Sequence, residues 1–107
     1  MILSKTYTFE SAHQLPDWPD IHGHSYEVQI SIKGEGDYVM PLRQFEEILK
    51  PVVAEIDHRM LNDIIDIPTM ENIARWFASK LKDLPLTQII ISRPTIGAKC
   101  IMNDFGS

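Results

Sequence analysis

His22-Gly23-His24-Ser25-Tyr26-Glu27-Val28-Gln29-Ile30-Ser31-Ile32-Lys33 is the stretch whose pattern governs the rest of the chain. From Tyr26 onward apolar and polar residues alternate. Tyr26, Val28, Ile30 and Ile32 share one face and Glu27, Gln29, Ser31 and Lys33 the other, the pattern of an antiparallel strand with one buried and one wet face. His22 and His24 stand two residues apart where this strand begins, so their imidazoles point to the same side. A third histidine, His13, closes the strand-like run before it. Three imidazoles with an open fourth position are the usual ligand set of a catalytic rather than a structural zinc. The bare triplet by itself better suits two surface histidines flanking a glycine turn, and the surrounding segments decide between the two.

Upstream, Leu3, Lys5, Tyr7 and Phe9 alternate with Ser4, Thr6 and Thr8, and this β-branched and aromatic content predicts a strand. Gln14 to Asp20 carries Pro16, Asp17, Pro19 and Asp20, which predicts an irregular loop that brings His13 and His22 to the same end of a hairpin. Downstream, Gly34-Glu35-Gly36-Asp37 predicts a turn. Pro41 then opens a helix whose stripe is Leu42, Phe45, Ile48, Leu49, Val52, Val53 and Ile56. Pro51 inside it predicts a kink near Leu49-Lys50 or two shorter helices. Thr69 is a good N-cap for a second helix with Ile73, Trp76, Phe77 and Leu81 on its buried face, running to about Lys82.

Gln88 to Ser92 is expected as a strand apolar on both faces, Pro94 to Gly97 as a turn, and Ala98 to Met102 as a returning strand. The expected order is ββααββ, an α+β domain over residues 1–107 with an antiparallel four-stranded sheet and two helices packed on one face. A strand apolar on both faces leaves one side to cover, and a second copy of the chain is the simplest cover.

Composition narrows the function classes. The 107 residues are 44% hydrophobic and carry a formal net charge of −5, which fits one compact core and offers no basic face for nucleic acid. No apolar run approaches the ~20 residues that span a bilayer, and Met1 to Lys5 lacks the layout of a secretory signal, so no membrane partner and a cytoplasmic location are expected. Cys100 is the single cysteine, so a metal site must draw on histidine and carboxylates.

Four blocks now stand in order: Phe9-Glu10-Ser11-Ala12-His13, His22-Gly23-His24-Ser25-Tyr26, Asp57-His58-Arg59-Met60-Leu61-Asn62 and Pro68-Thr69-Met70-Glu71-Asn72-Ile73-Ala74. Together they resemble the 6-pyruvoyltetrahydropterin and 6-carboxytetrahydropterin synthases over nearly the whole chain. The resemblance implies the tunnelling fold, in which subunits pool their sheets into a barrel, commonly a homohexamer of two trimers. It implies Zn2+ on His13, His22 and His24, with a dihydroneopterin (triphosphate)-like substrate in pterin or deazaguanine (queuosine) biosynthesis. It also implies an Asp57–His58 pair that moves protons, the carboxylate fixing the imidazole. Read without the family, His58 is better taken as a histidine compensating a helix C-terminus.

Two positions depart from the family pattern. Trp18 stands where the family has its catalytic cysteine, four residues before the His-Gly-His triplet, in a shorter loop; Cys100 reads as a small buried hydrophobe. Arg93 stands near the end of the third expected strand, where the family has a glutamate that grips the pterin edge. A glutamate accepts two hydrogen bonds there, and an arginine offers only donors. Asp17 and Asp20 are the local candidates for a substitute base, although both also suit turn positions beside Pro16 and Pro19. Thr69, Glu71 and Arg93 are the candidates for substrate contacts. Two readings follow: a zinc-dependent lyase on a dihydroneopterin-type substrate, or a homologue that binds metal and a pterin-like or anionic ligand without the family reaction. In a third, Arg93 turns the site toward a carboxylate or phosphate.

Overall fold

A computed structural model describes residues 1–106. Its spine is one long hairpin, β1 (Ile2–Leu15) against β2 (Trp18–Lys33), paired antiparallel from Ile2↔Lys33 to His13↔His22. At ~3.3 Å per residue, a strand of this length spans nearly the whole of the 49 Å long axis. On the other edge of β2 come β4 (Leu86–Arg93) and β5 (Ala98–Met102), both antiparallel to their neighbours. A two-residue strand, β3 (Arg59–Met60), joins the outer edge of β1 in parallel through Ser11↔Arg59 and Ala12↔Met60. The sheet is therefore five-stranded and mixed, in the order β3-β1-β2-β4-β5.

That corrects the expected four-stranded antiparallel sheet. A two-residue strand has no room for alternation, so no periodicity betrays it. It forms because Asp57–His58 are pinned to β1 just before it: the Glu10 N–H donates to Asp57 Oδ1 at 2.9 Å and the His58 N–H to the Glu10 carbonyl at 2.6 Å. The hairpin tip is a second correction. Strand pairing continues past His13 to Leu15↔Trp18, with a register shift after His13, and Trp18 to Asp20 belong to β2 rather than to an irregular loop. Asn62 holds the shifted residue in place: Gln14 N–H donates to Asn62 Oδ1 and Asn62 Nδ2 donates to the Gln14 carbonyl, both at 2.9 Å. One amide side chain thus stands in for a missing strand neighbour.

The helices are α1 (Leu42–Ile56) and α2 (Met70–Lys80). Phe45, Leu49, Val53 and Ile56 of α1 and Ile73, Ala74 and Phe77 of α2 are buried, forming one core with Phe9, Tyr26, Val28, Ile30, Ile32, Ile89 and Ile91 of the sheet. Alternation puts those strand residues on a single face. Pro51 does not divide α1, which is one helix through Ile56. Its ring lies on the exposed side, while the apolar residues on either side of it are anchored on the sheet and hold the helix together. Thr69 caps α2, its hydroxyl accepting from the Asn72 N–H at 3.1 Å.

The far face of the sheet is less apolar than β4 alone promised. Ile90 is flanked across the ladder by Gln29 and Ile101, and its neighbours include Ser4, Thr6 and Thr8 on β1. Ser4 and Ser31 hydrogen-bond there at 2.7 Å. Among the described residues no helix is long and apolar enough to cross a membrane.

Candidate functional site

The helix-facing side of the hairpin changes character along its length. Phe9 and Tyr26 stack with ring centroids 5.0 Å apart, and the next positions toward the tip on the same face are Ser11 with His24 and His13 with His22. Cross-strand pairing therefore delivers three imidazoles to one patch. Their centroids are 4.6, 5.0 and 4.8 Å apart, and one ring nitrogen from each lies within 4.8 Å of the others. Tyr26 forms the floor, edge-on to both His13 and His24.

Hydrogen bonds fix which nitrogens are free. His13 Nδ1 donates to the Pro68 carbonyl at 2.9 Å and His22 Nδ1 to the Asp20 carbonyl at 2.8 Å. A carbonyl only accepts, so both Nδ1 atoms carry protons and both Nε2 atoms keep bare lone pairs. This is the arrangement in which an outer carbonyl orients a histidine for a metal. His24 differs, because Arg93 Nη2 donates to its Nδ1 at 2.7 Å.

Burial matches this donor set to a cation. His13 is 5% exposed, yet its Nε2 has no hydrogen-bond partner. The buried side-chain polar atoms without partners among the described residues are His13 Nε2, Tyr26 Oη, Arg93 Nε and Tyr7 Oη, and all but the last belong to this patch. Each orphan costs ~1–3 kcal/mol unless something meets it. Three nitrogen donors and no thiolate suit Zn2+ or a neighbouring first-row ion with an open coordination position.

The protonation states suit the same use. Burial lowers the pKa of His24 from 6.5 to about 4, with the charges of Arg93, His13 and His22 adding to it. Burial also lowers that of His13, against the Pro68 carbonyl, which favours the proton. Burial pushes the Tyr26 hydroxyl up to about 12, keeping it a neutral donor. The sign of the pH effect on the metal-free fold follows. Unfolded chains take protons at these rings from about pH 6.5 downward, whereas His24 in the folded chain takes one only near 4, so stability falls across that window. Thermal melts of metal-free protein should show the melting temperature dropping as pH is lowered from 6.5 to 4, and dropping less steeply in His24→Asn. An equally steep drop in the variant would assign the acid sensitivity to other groups.

Around the histidines lies a cleft of about 490 Å3 that also takes in Leu15, Asp17, Trp18, Thr69, Met70, Glu71 and Arg93. Of the two aspartates weighed as a base, Asp17 lines it; Asp20 is exposed and meets the site through its carbonyl. Trp18 packs against the His22 ring at 5.4 Å. The Thr69 hydroxyl reaches the cleft while capping α2. Tyr26, Asn62 and the Pro68 carbonyl were not among the expected site groups. Tyr26 continues the His22, His24 alternation and could have been found that way. A backbone carbonyl leaves no trace in the sequence.

Asp57 and His58 lie elsewhere. His58 Nδ1 is 2.9 Å from Asp57 Oδ1, and the His58 side chain is 77% exposed. The Glu10 backbone N–H, and after it the His58 imidazole, hold the Asp57 carboxyl below its usual value. His58 has φ +57°, a left-handed conformation uncommon outside glycine, and in it the His58 N–H donates to the Glu10 carbonyl. It borders a shallow depression over the β1–β2 hairpin that is lined by Glu10, Ser11, Ala12, Gly23, His24 and Ser25, and neither Asp57 nor His58 lines the cleft around the three histidines. A single chain does not bring this pair to its own histidine cleft.

Comparison with known proteins agrees with this fold. Dihydroneopterin monophosphate aldolase of Pyrococcus furiosus is 39% identical over 83 residues, covering 73% of this chain and 73% of its own length. The 6-carboxy-5,6,7,8-tetrahydropterin synthase of Synechocystis sp. is 33% identical over 97 residues, covering 77% of this chain and 75% of its own. The solved 6-pyruvoyl tetrahydropterin synthase of Caenorhabditis elegans superposes with a TM-score of 0.83 at 22% identity, covering 100% of this chain and 96% of that one. At that identity the likeness speaks for the fold alone. The family model described as 6-pyruvoyl tetrahydropterin synthase matches residues 2–97, nearly the whole of the hairpin, helices and β4 together, and on that extent the chain belongs to the 6-pyruvoyl tetrahydropterin synthase family.

Proposed function

We propose that this protein is a Zn2+-dependent carbon–carbon lyase acting on the side chain of a phosphorylated dihydroneopterin. The observation that carries the proposal is the buried, partnerless His13 Nε2 converging with His22 and His24 in a cleft that also holds an arginine and two carboxylates. The relative named dihydroneopterin monophosphate aldolase favours a phosphorylated substrate and aldol-type cleavage over the triphosphate reaction first expected.

Zinc bound to His13, His22 and His24 would supply Lewis acidity toward the oxygens of the substrate side chain. The chain's own groups do the rest. Aldol-type cleavage needs a base to take the proton of a side-chain hydroxyl while the neighbouring C–C bond breaks. The bond's electron pair moves into the ring system, the oxygen that lost its proton leaves as an aldehyde, and an acid returns a proton to the retained fragment. Asp17 is the carboxylate of the cleft itself, at the hairpin tip. The Asp57–His58 pair is the better proton carrier, since the carboxylate orients the imidazole. It does not line its own cleft, so it serves a neighbouring copy, in keeping with the trimer or hexamer expected from the family resemblance. Glu71, in the first turn of α2, offers the two acceptor oxygens for the pterin's amino and ring N–H groups that Arg93 does not. Trp18 offers a flat apolar face beside His22 against which a bicyclic ring can lie.

Incubating zinc-loaded protein with dihydroneopterin monophosphate should release the aldehyde fragment, and removing the metal with a chelator should stop it. Failure to cleave the monophosphate or triphosphate with zinc, iron, nickel or manganese would reject catalysis. Trp18 and Arg93 favour one other reading, a homologue that binds the ligand without converting it. That reading expects a raised melting temperature and an unchanged ligand.

A further inference from the structure

Arg93 and a metal ion cannot both use His24. The guanidinium is always a donor, and its Nη2 sits 2.7 Å from His24 Nδ1. If His24 binds a cation through Nε2, its Nδ1 must carry the proton, and two N–H groups would face each other. If it binds through Nδ1, the cation takes the lone pair that Arg93 now holds. Either way the contact ends when the metal enters. Arg93 is the last residue of β4 and is paired with Ala98, so the backbone stays fixed and the side chain must turn. No ion pair among the described residues involves Arg93, and its Nε is buried without a partner. Tyr26 Oη, on a side chain 1% exposed in the same cleft, is also partnerless.

We propose that Arg93 is a displaceable clasp: it holds His24 while the chain is metal-free and, once a divalent cation takes His24, it turns to grip the phosphate monoester of the substrate. The proposal rests on the three-histidine metal site and names the part of the substrate that Arg93 selects. The planar guanidinium matches phosphate oxygens in a two-pronged contact. Metal and phosphate then reinforce each other, because the cation removes the contact that otherwise occupies Arg93, and the coupling is reciprocal.

The test is Zn2+ affinity, measured by competition with a chromophoric chelator in a non-coordinating buffer, with and without phenyl phosphate. Arg93→Met should bind Zn2+ about tenfold tighter than the parent, since the cation no longer breaks a charge-assisted hydrogen bond. Phenyl phosphate should tighten Zn2+ binding several-fold in the parent and not in Arg93→Met. In the parent alone, the 15N resonance of the Arg93 guanidinium should shift when Zn2+ is added, a readout that needs no variant. Equal Zn2+ affinity in both proteins would overturn the clasp. Phosphate coupling that survives in Arg93→Met would place the phosphate on the metal and overturn the anion role. A parent whose phosphate coupling is nil would do the same, with released Arg93 pairing to Glu71 instead. Should the parent bind no divalent cation at all, the metal reading itself fails and takes the clasp with it.

Discussion

His22→Ala should abolish metal binding and leave the fold almost untouched, whereas His13→Ala should abolish binding and weaken the fold as well. The difference comes from what each ring does besides offering Nε2. His22 is part-exposed and its Nδ1 bonds the Asp20 carbonyl two residues away, a contact confined to the hairpin tip. Removing it is expected to shift stability by no more than ~0.5 kcal/mol, as for most part-exposed positions. His13 is 5% exposed and its Nδ1 ties β1 to the Pro68 carbonyl, 55 residues along, at the entry to α2. Truncating it leaves that carbonyl unpaired and a gap beneath it, a loss of about 2–4 kcal/mol. For a domain of this size the melting temperature should fall by roughly 10 °C or more. Both variants should lose Zn2+ affinity by more than the ~10–100-fold that removal of an outer hydrogen bond costs, because each deletes a ligand atom. Equilibrium dialysis with elemental analysis gives the affinity, and circular dichroism gives the fold. The hairpin ladder from Ile2↔Lys33 to His13↔His22 is complete without an ion, so chelation should leave the helical signal intact. Global unfolding on chelation would make the metal structural and overturn the catalytic reading.

The parts of the fold legible in the sequence are those written in local periodicity. The Tyr26 to Ile32 alternation announces β2, the stripe from Phe45 to Ile56 announces α1, and Thr69 marks the start of α2. The hairpin tip was misread because Pro16 and Pro19 carry turn chemistry, yet the pairing of Leu15 with Trp18 runs on past it. The expected division of α1 into two helices at Pro51 fails for a related reason. Local propensity weighs the missing N–H, but the exposed side of a helix already docked on a sheet tolerates it. The histidine patch was legible because two of its rings sit at i and i+2 and the third lies across a hairpin. What surrounds it was not. Arg93 reaches His24 across 69 residues and the Pro68 carbonyl reaches His13 across 55, so neither contact has a sequence neighbour to betray it. Asp57–His58 stands outside the histidine cleft, between the left-handed backbone at His58 and β3, and neither feature follows from residue type.

That placement carries the second large effect. In His58→Asn the backbone should keep its shape, because asparagine is among the few residues at ease at φ +57°. Asp57 should stay in place too, since its carboxylate still accepts from the Glu10 N–H. The imidazole is what disappears, and turnover should fall ~10²–10⁴-fold, the usual worth of a positioned proton carrier. Metal affinity should remain at the parental value, because His58 is neither one of the three clustered histidines nor a residue of the cleft around them. A variant with parental turnover would reduce Asp57–His58 to a clamp on the edge of β1. The geometry makes a sharper demand as well. If the pair serves the cleft of a second copy, His58→Asn has lost one half of a composite site and His22→Ala the other, so each homogeneous assembly should be inactive. Unfolding the two variants together and refolding them as a mixture should restore up to roughly a quarter of parental activity, the share of sites that random assembly gives one intact half from each chain type. Separately refolded controls should stay silent. A mixture as inactive as its components would mean that the pair never reaches a partner's cleft. The pair would then be left bordering only the depression it shares with Glu10, Ser25 and His24 of its own chain, outside the cleft that holds His13 and His22.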